Sequence, residues 1–124
     1  MNVCIVGYGR MGKMVESALQ RSGHRICARI DPYSEKADEK ILKPEILVGA
    51  DAAIEFSLPE AVVENVSVYA ESGVSAVVGT TGWSGEEDRV REIIKNSKIA
   101  YVAGSNFSIG AHIFFALTEL AASI

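Results

Sequence analysis

Val3-Cys4-Ile5-Val6-Gly7-Tyr8-Gly9-Arg10-Met11-Gly12 is an apolar strand running straight into a Gly-x-Gly-x-x-Gly turn, and the helical spacing of Met14, Val15, Ala18 and Leu19 follows at once. Strand, turn and helix in that order make a dinucleotide-binding unit. Gly7 turns the chain out of the strand, Gly9 leaves room for a pyrophosphate against the main chain, and Gly12 lets the helix pack close to the strand. The first helical turn offers N–H groups without intrahelical partners at the positive end of the helix dipole, an anion site. Asp31 lies near the offset of about twenty residues at which a carboxylate takes ribose hydroxyls.

Outward from that turn, apolar runs alternate with helical-period segments, the pattern of a parallel sheet with helices on both faces. The reading is a single Rossmann-like, doubly wound α/β domain over residues 1–124 with five strands. These are Val3 to Val6, Arg25 to Ile30, Ala52 to Phe56, Ser75 to Val78 and Ile99 to Val102. Helices are expected from Arg10 to a stop at Gly23, from a capping box at Ser57-Leu58-Pro59-Glu60 to about Ser72, from Glu86 to Asn96, and from Ile109 onward behind a Ser108 cap. Tyr33 to Pro44 is polar and irregular, with at most a turn or two of helix in Glu35 to Lys40. The last helix carries an apolar stripe of Ile113, Phe114, Leu117 and Leu120, and the sequence stops inside it without a C-cap.

Composition narrows the function classes. With 124 residues the chain suits one domain with a proper core. A net charge of −4, with bases scattered among acids, offers no face to a nucleic acid. Cys4 and Cys27 fall in separate strands with no C-x-x-C pair, so buried, reduced thiols of a cytoplasmic protein are expected and no metal site is. No signal peptide or bilayer span is present in the pattern.

Every distinctive motif falls at a strand's carboxyl end, where open parallel sheets bind ligands. Asp31 suits two ribose hydroxyls and repels a 2′-phosphate, which favours NAD(H). Arg10 and Lys13 put cations at the positive end of a helix, a cost that a bound phosphate reverses, and this keeps NADP(H) as the alternative. Thr80 and Thr81 stand where a nicotinamide amide or ribose would lie. Asn106 suits either a ligand amide or its own turn, and Trp83 either a cofactor cover or a cap on the sheet edge. His112 reads as a partly buried packing residue on the last helix. No nucleophile arrangement or acid/base pair emerges, so no catalytic residue is assigned.

Four motifs together resemble a known family: Gly-Tyr-Gly-Arg-Met-Gly-Lys (7–13), Ile-Glu-Phe-Ser-Leu-Pro-Glu-Ala (54–61), Val-Val-Gly-Thr-Thr-Gly-Trp (77–83) and Ser-Asn-Phe-Ser-Ile-Gly (105–110). They are similar to the amino-terminal domain of the 4-hydroxy-tetrahydrodipicolinate (dihydrodipicolinate) reductases of bacterial lysine and diaminopimelate synthesis. The resemblance implies that Gly7, Tyr8, Gly9, Arg10, Met11 and Gly12 hold the pyrophosphate and that Asp31 takes the ribose position. It also implies that Phe56, Ser57, Gly79, Thr80, Thr81, Gly104, Ser105, Asn106 and Phe107 line the cofactor. The family's glycine turn is often one residue longer, and Pro32 stands where NADP-using relatives can carry an arginine. Its substrate domain, with a His-His-x-x-Lys segment, the general acid and the clamp for a small dicarboxylate, has no counterpart in these residues. The complete enzyme is expected to be an oxidoreductase and a homo-oligomer, and this chain alone to be inactive. Two other classes fit the layout: another Rossmann dehydrogenase domain of amino-acid metabolism, of the aspartate or homoserine type, and a free-standing module that senses nicotinamide redox state.

Overall fold

Strands rich in Val, Ile and Ala need cover on both faces, and the chain supplies it by alternating them with helices. The computed structural model describes residues 1–124. Five strands, β1 (Asn2–Val6), β2 (Arg25–Ile30), β3 (Ala52–Glu55), β4 (Ser75–Val78) and β5 (Tyr101–Ala103), pair in parallel in the order β2-β1-β3-β4-β5. Four α-helices accompany them: α1 (Arg10–Arg21), α2 (Val62–Ser72), α3 (Glu87–Lys95) and α4 (Ile109–Ala122). An isolated parallel bridge between Ile30 and Glu39 borders the outer edge of β2. It stands where a doubly wound dinucleotide fold has its next strand, so the strand order reverses between β1 and β3.

The two faces are covered unequally. On one, Cys4, Val6, Ala53, Ala76 and Val78 pack against Val62, Val66 and Tyr69 of α2 and Val90 of α3. On the other, α1 lies so close to β1 that a Cβ on Gly12 would stand 2.2 Å from the Gly7 carbonyl oxygen and 3.3 Å from the Ile5 side chain. Val102 of β5 remains 52% exposed. The fourth helix buries none of its residues, and Ile113, Phe114, Leu117 and Leu120 are all more than half exposed. The apolar stripe is real, but its own sheet does not cover it. No helix is long and apolar enough to cross a membrane.

Several local expectations need correction. Glu35 to Lys40 is irregular, as expected, and forms no helix; Asp38 and Glu39 donate their backbone N–H groups to the Arg29 carbonyl and the segment runs on as turns and bends. A 3-10 turn at Pro44–Leu47 carries buried Leu47 instead. Ser57 does not cap α2, because its hydroxyl turns back to the Glu55 carboxylate; Pro59–Ala61 forms a 3-10 turn that leads into the helix. The fifth strand starts two positions later than the pattern of Ile99 predicts, since Ser75 Oγ accepts from the Ala100 N–H and the ladder opens at Tyr101. Ser108 caps α4 as expected, accepting from the Ala111 N–H at 3.3 Å. His112 is exposed, not half-buried, and its Nε2 donates to the Asn106 carbonyl at 2.9 Å. Cys27 is exposed as well, and only Cys4 is buried.

Candidate functional site

Beyond the end of each strand, the next residue continues the ladder to a neighbour. Gly7 donates to the Ile30 carbonyl at 2.8 Å, Phe56 to Val6 at 2.8 Å, Gly79 to Glu55 at 2.8 Å and Gly104 to Val78 at 3.1 Å. These four bonds set the glycine turn and the loops after β3, β4 and β5 in one row along the carboxyl edge of the sheet. At Gly7, φ is +88° and an added Cβ would lie 2.1 Å from the Phe56 carbonyl oxygen. Only glycine makes that turn beside β3. Gly9 is the opposite case, with nothing within 4 Å of a Cβ built on it. That open space faces the start of α1, whose first turn has neither a side-chain cap nor an acid. Its backbone donors therefore remain available to an anion, and the exposed Arg10 adds a cation beside them.

Asp31 is more deeply engaged than the ribose role alone requires. Its Oδ2 accepts the Tyr8 N–H at 2.7 Å, and its Oδ1 accepts those of Tyr33 and Ser34 at 2.8 and 2.9 Å. Burial opposes its charge, yet the three N–H donors and the Lys40 ammonium hold its carboxyl below the ordinary value. Of about four lone-pair positions on a carboxylate, three are filled, and one on Oδ2 stays open to a ligand hydroxyl.

A cleft of about 410 Å³ opens at the strand-order reversal and is lined by Gly7, Gly9, Asp31, Phe56 and Ser57. Tyr33 and Lys40 also line it; the irregular segment after β2 concealed them from a reading by pattern. A second cleft, about 530 Å³, lies beside α3 and holds Thr80, Thr81, Gly104 and Ser105. The candidate residues thus form two adjoining clefts where the sequence suggested one site. The wall between them is built from contacts of the same motifs: Thr80 Oγ1 accepts the Ser57 N–H at 2.8 Å, and the Phe56 ring lies so close over Gly79 that a Cβ there would meet it at 2.1 Å.

The remaining candidates lie around these clefts. Tyr8 is buried and donates its hydroxyl to Glu16 of α1, while Met11 and Gly12 fall in the first turn of α1, the former exposed and the latter packed on β1. Arg29 of β2 clamps Glu16 and Asp38 and sits 5.7 Å from the Tyr8 ring centre. This cluster, which spacing alone did not single out, ties the turn to α1 and β2. Asn106 Oδ1 accepts the Ser108 N–H at 2.8 Å, which engages the amide oxygen in its own turn. The half-exposed Phe107 ring rests against Gly104, and Trp83 donates its Nε1–H to the Thr80 carbonyl at 2.7 Å.

Beneath the wall lies a fully buried acid. Glu55 accepts from Asn65 Nδ2 at 2.9 Å, from the Tyr69 hydroxyl at 2.8 Å and from Ser57 Oγ. Its burial raises the carboxyl above the ordinary value, and the three donors only partly offset this. The signal was present in the sequence: one acid inside the apolar run Ala52-Ala53-Ile54-Glu55-Phe56, where a central parallel strand should be apolar throughout.

A parallel sheet reversing at a glycine turn, with an open helix N-terminus and an acid at the end of the next strand, defines a Rossmann-type dinucleotide-binding domain. Residues 1–107 match the family described as dihydrodipicolinate reductase, N-terminus, and the chain belongs to that family. The 4-hydroxy-tetrahydrodipicolinate reductase of Christiangramia forsetii is 34% identical over 96% of this chain and 47% of its own length. The reductase of the same name from Archaeoglobus fulgidus is 32% identical over the whole of this chain and 52% of its own. The chain spans about half the length of these curated relatives. Among solved structures, aspartate dehydrogenase from Thermotoga maritima superposes with a TM-score of 0.64 at 21% identity, covering 96% of this chain and 52% of that one. The apo scyllo-inositol dehydrogenase of Lactobacillus casei gives 0.69 at 13% identity, with 98% and 42% covered. These likenesses establish the dehydrogenase-type fold.

Proposed function

We propose that the chain is the cofactor-binding part of an NAD(P)H-dependent 4-hydroxy-tetrahydrodipicolinate reductase of lysine and diaminopimelate synthesis. The observation that carries this reading is the open space over Gly9 at the bare N-terminus of α1, within a chain of the dihydrodipicolinate reductase family. The pyrophosphate lies there, held by the backbone N–H groups of Gly9, Arg10, Met11 and Gly12, while Gly7 and Tyr8, whose own N–H groups go to Ile30 and Asp31, shape the turn around it. The adenosine ribose takes the open lone pair of Asp31 in the first cleft. Phe56, Ser57 and Gly79 then lead the cofactor over the wall toward Thr80, Thr81, Gly104, Ser105, Asn106 and Phe107. When bound, the nicotinamide supplies hydride; the protein supplies orientation and electrostatics.

NAD(H) is the preferred cofactor, because the Asp31 carboxylate repels a 2′-phosphate. Lys40 and Arg10 soften that repulsion, so NADP(H) binds as well or more weakly. Titration of the chain with NADH and with NADPH, followed by Trp83 fluorescence or calorimetry, tests the reading. Affinity in the micromolar range for NADH, with NADPH no tighter, is expected; a strong preference for NADPH would overturn the role given to Asp31. Failure of both cofactors to bind would overturn the nicotinamide reading itself.

On this reading the general acid and the groups that hold a small dicarboxylate belong to a substrate domain. The uncovered faces of α4 and of β5 suit packing against that domain or against a second copy in a cytoplasmic homo-oligomer.

A further inference from the structure

We infer that Cys4 and Cys27 form a reversible redox site, a cross-strand dithiol that closes to a disulfide when a peroxide reaches it. The sheet itself creates the pair. Val3 is paired with Ile26 but Cys4 with Ala28, so Cys27 is the extra residue of a bulge in β2, set beside Cys4 on the neighbouring strand. Their sulfurs are 2.8 Å apart, and both cysteines are free thiols. Closing the bond to about 2.05 Å therefore needs less than about 1 Å of sulfur movement.

The two thiols occupy different surroundings. Cys27 is exposed, so an oxidant meets it first; Cys4 is wholly buried in the core. Burial, reinforced by the neighbouring Cys27, pushes the Cys4 thiol up to about 12, which keeps it protonated and inert toward solvent reagents. An exposed sulfur with a protected resolving sulfur in contact is the arrangement in which oxidation stops at the disulfide. The steps balance. Cys27 sulfur attacks one peroxide oxygen, the O–O bond breaks, and the leaving hydroxide takes the thiol proton away as water. Cys4 sulfur then displaces the hydroxyl of the Cys27 sulfenic acid, the S–S bond forms, and the Cys4 proton leaves with that hydroxyl as a second water. Both sulfurs are oxidised by one electron each and hydrogen peroxide is reduced.

The test treats the reduced chain with hydrogen peroxide and counts thiols after denaturation, with a tryptic map of peptides 1–10 and 26–29, which carry Cys4 and Cys27. Both thiols are expected to disappear together, leaving these peptides linked and lighter by two hydrogens, and dithiothreitol restores both. With Cys27→Ser, which alters only an exposed position, Cys4 is expected to stay a free thiol through the same treatment. A chain-to-chain dimer through Cys27, or Cys27 sulfinic acid beside an intact Cys4 thiol, would overturn the inference. So would rapid oxidation of Cys4 in the Cys27→Ser variant.

Discussion

Asp31 Oδ2 accepts the backbone N–H of Tyr8 at 2.7 Å, so the carboxylate ending β2 braces the glycine turn that ends β1. The group proposed to take a ribose hydroxyl therefore also shapes the place where a pyrophosphate would lie.

Replacing Asp31 with alanine leaves the N–H groups of Tyr8, Tyr33 and Ser34 without their acceptor, a loss of about 1 to 3 kcal/mol in stability. NADH should bind more weakly, because the turn loosens and the ribose acceptor is lost, whereas NADPH should lose less, because the repulsion of its 2′-phosphate goes with the carboxylate. The carboxyl is depressed in the folded chain, so its stabilisation is complete above the unfolded value and is lost as pH falls through the folded one. Denaturant melts of wild type and Asp31→Ala should thus differ at pH 7 and converge below about pH 4. Equal stability of the two at neutral pH would show that the brace contributes nothing.

Glu55 carries the opposite sign. Burial raises its folded value above the unfolded one, so the folded chain holds the proton more tightly and stability declines as pH rises from the unfolded value through the folded one. Glu55→Gln keeps acceptor and donor groups for Asn65, Ser57 and Tyr69 and removes that decline. It should be at least as stable as wild type near neutral pH and flatter across the acid range. Glu55→Leu instead orphans buried donors and should lose about 1 to 3 kcal/mol for each. A steeper pH profile for Glu55→Gln than for wild type would refute the assignment of sign.

The periodicity that located the strands and helices works because each element must bury a face, and β1, β2, β4 and the N-terminus of α1 lie where that pattern puts them. It gives no guidance where backbone bonds decide. The bulge at Cys27 and the 3-10 turn at Pro44–Leu47 follow no apolar period that would mark them. Ser57 matched a capping box in sequence, but the buried Glu55 competes for its hydroxyl and wins. The glycines were legible because steric demand is local: Gly7 and Gly12 are each required by an atom 2.1 to 2.2 Å from a would-be Cβ. The division of the site into two clefts was not legible, since it depends on Phe56 lying over Gly79, a contact between distant segments.

Gly9→Ala and Gly12→Ala should separate binding from folding. A methyl at Gly9 enters empty space, so thermal unfolding should barely change while NADH binding is lost, the methyl occupying the room of the pyrophosphate. A methyl at Gly12 drives α1 away from the Gly7 carbonyl and should lower stability by at least about 1 to 3 kcal/mol. If Gly9→Ala bound NADH normally, the phosphate would have to lie elsewhere.

The isolated chain should bind cofactor, self-associate and catalyse nothing. Binding needs only the strand-end groups already in place, whereas reduction of a cyclic dicarboxylate needs a positioned acid and cations for two carboxylates, and positioning alone supplies about 7 to 11 kcal/mol of barrier lowering. In the first cleft the Lys40 ammonium is already bonded to the Ser34 carbonyl, and beside the second the Asn106 amide oxygen is engaged in its own turn. Exposed Phe114, Phe115 and Leu117 on α4 should meanwhile drive association. Sedimentation should show concentration-dependent oligomers that Phe114→Lys with Leu117→Lys disperses without lowering NADH affinity, since α4 lies outside both clefts. Adding a substrate domain from one of the longer relatives, in cis or as a second chain, should restore turnover of the dipicolinate precursor. Substantial turnover by the purified 124-residue chain, free of contaminating enzyme, would reverse this reading and make Asn106 or His112 the first candidates for the acid.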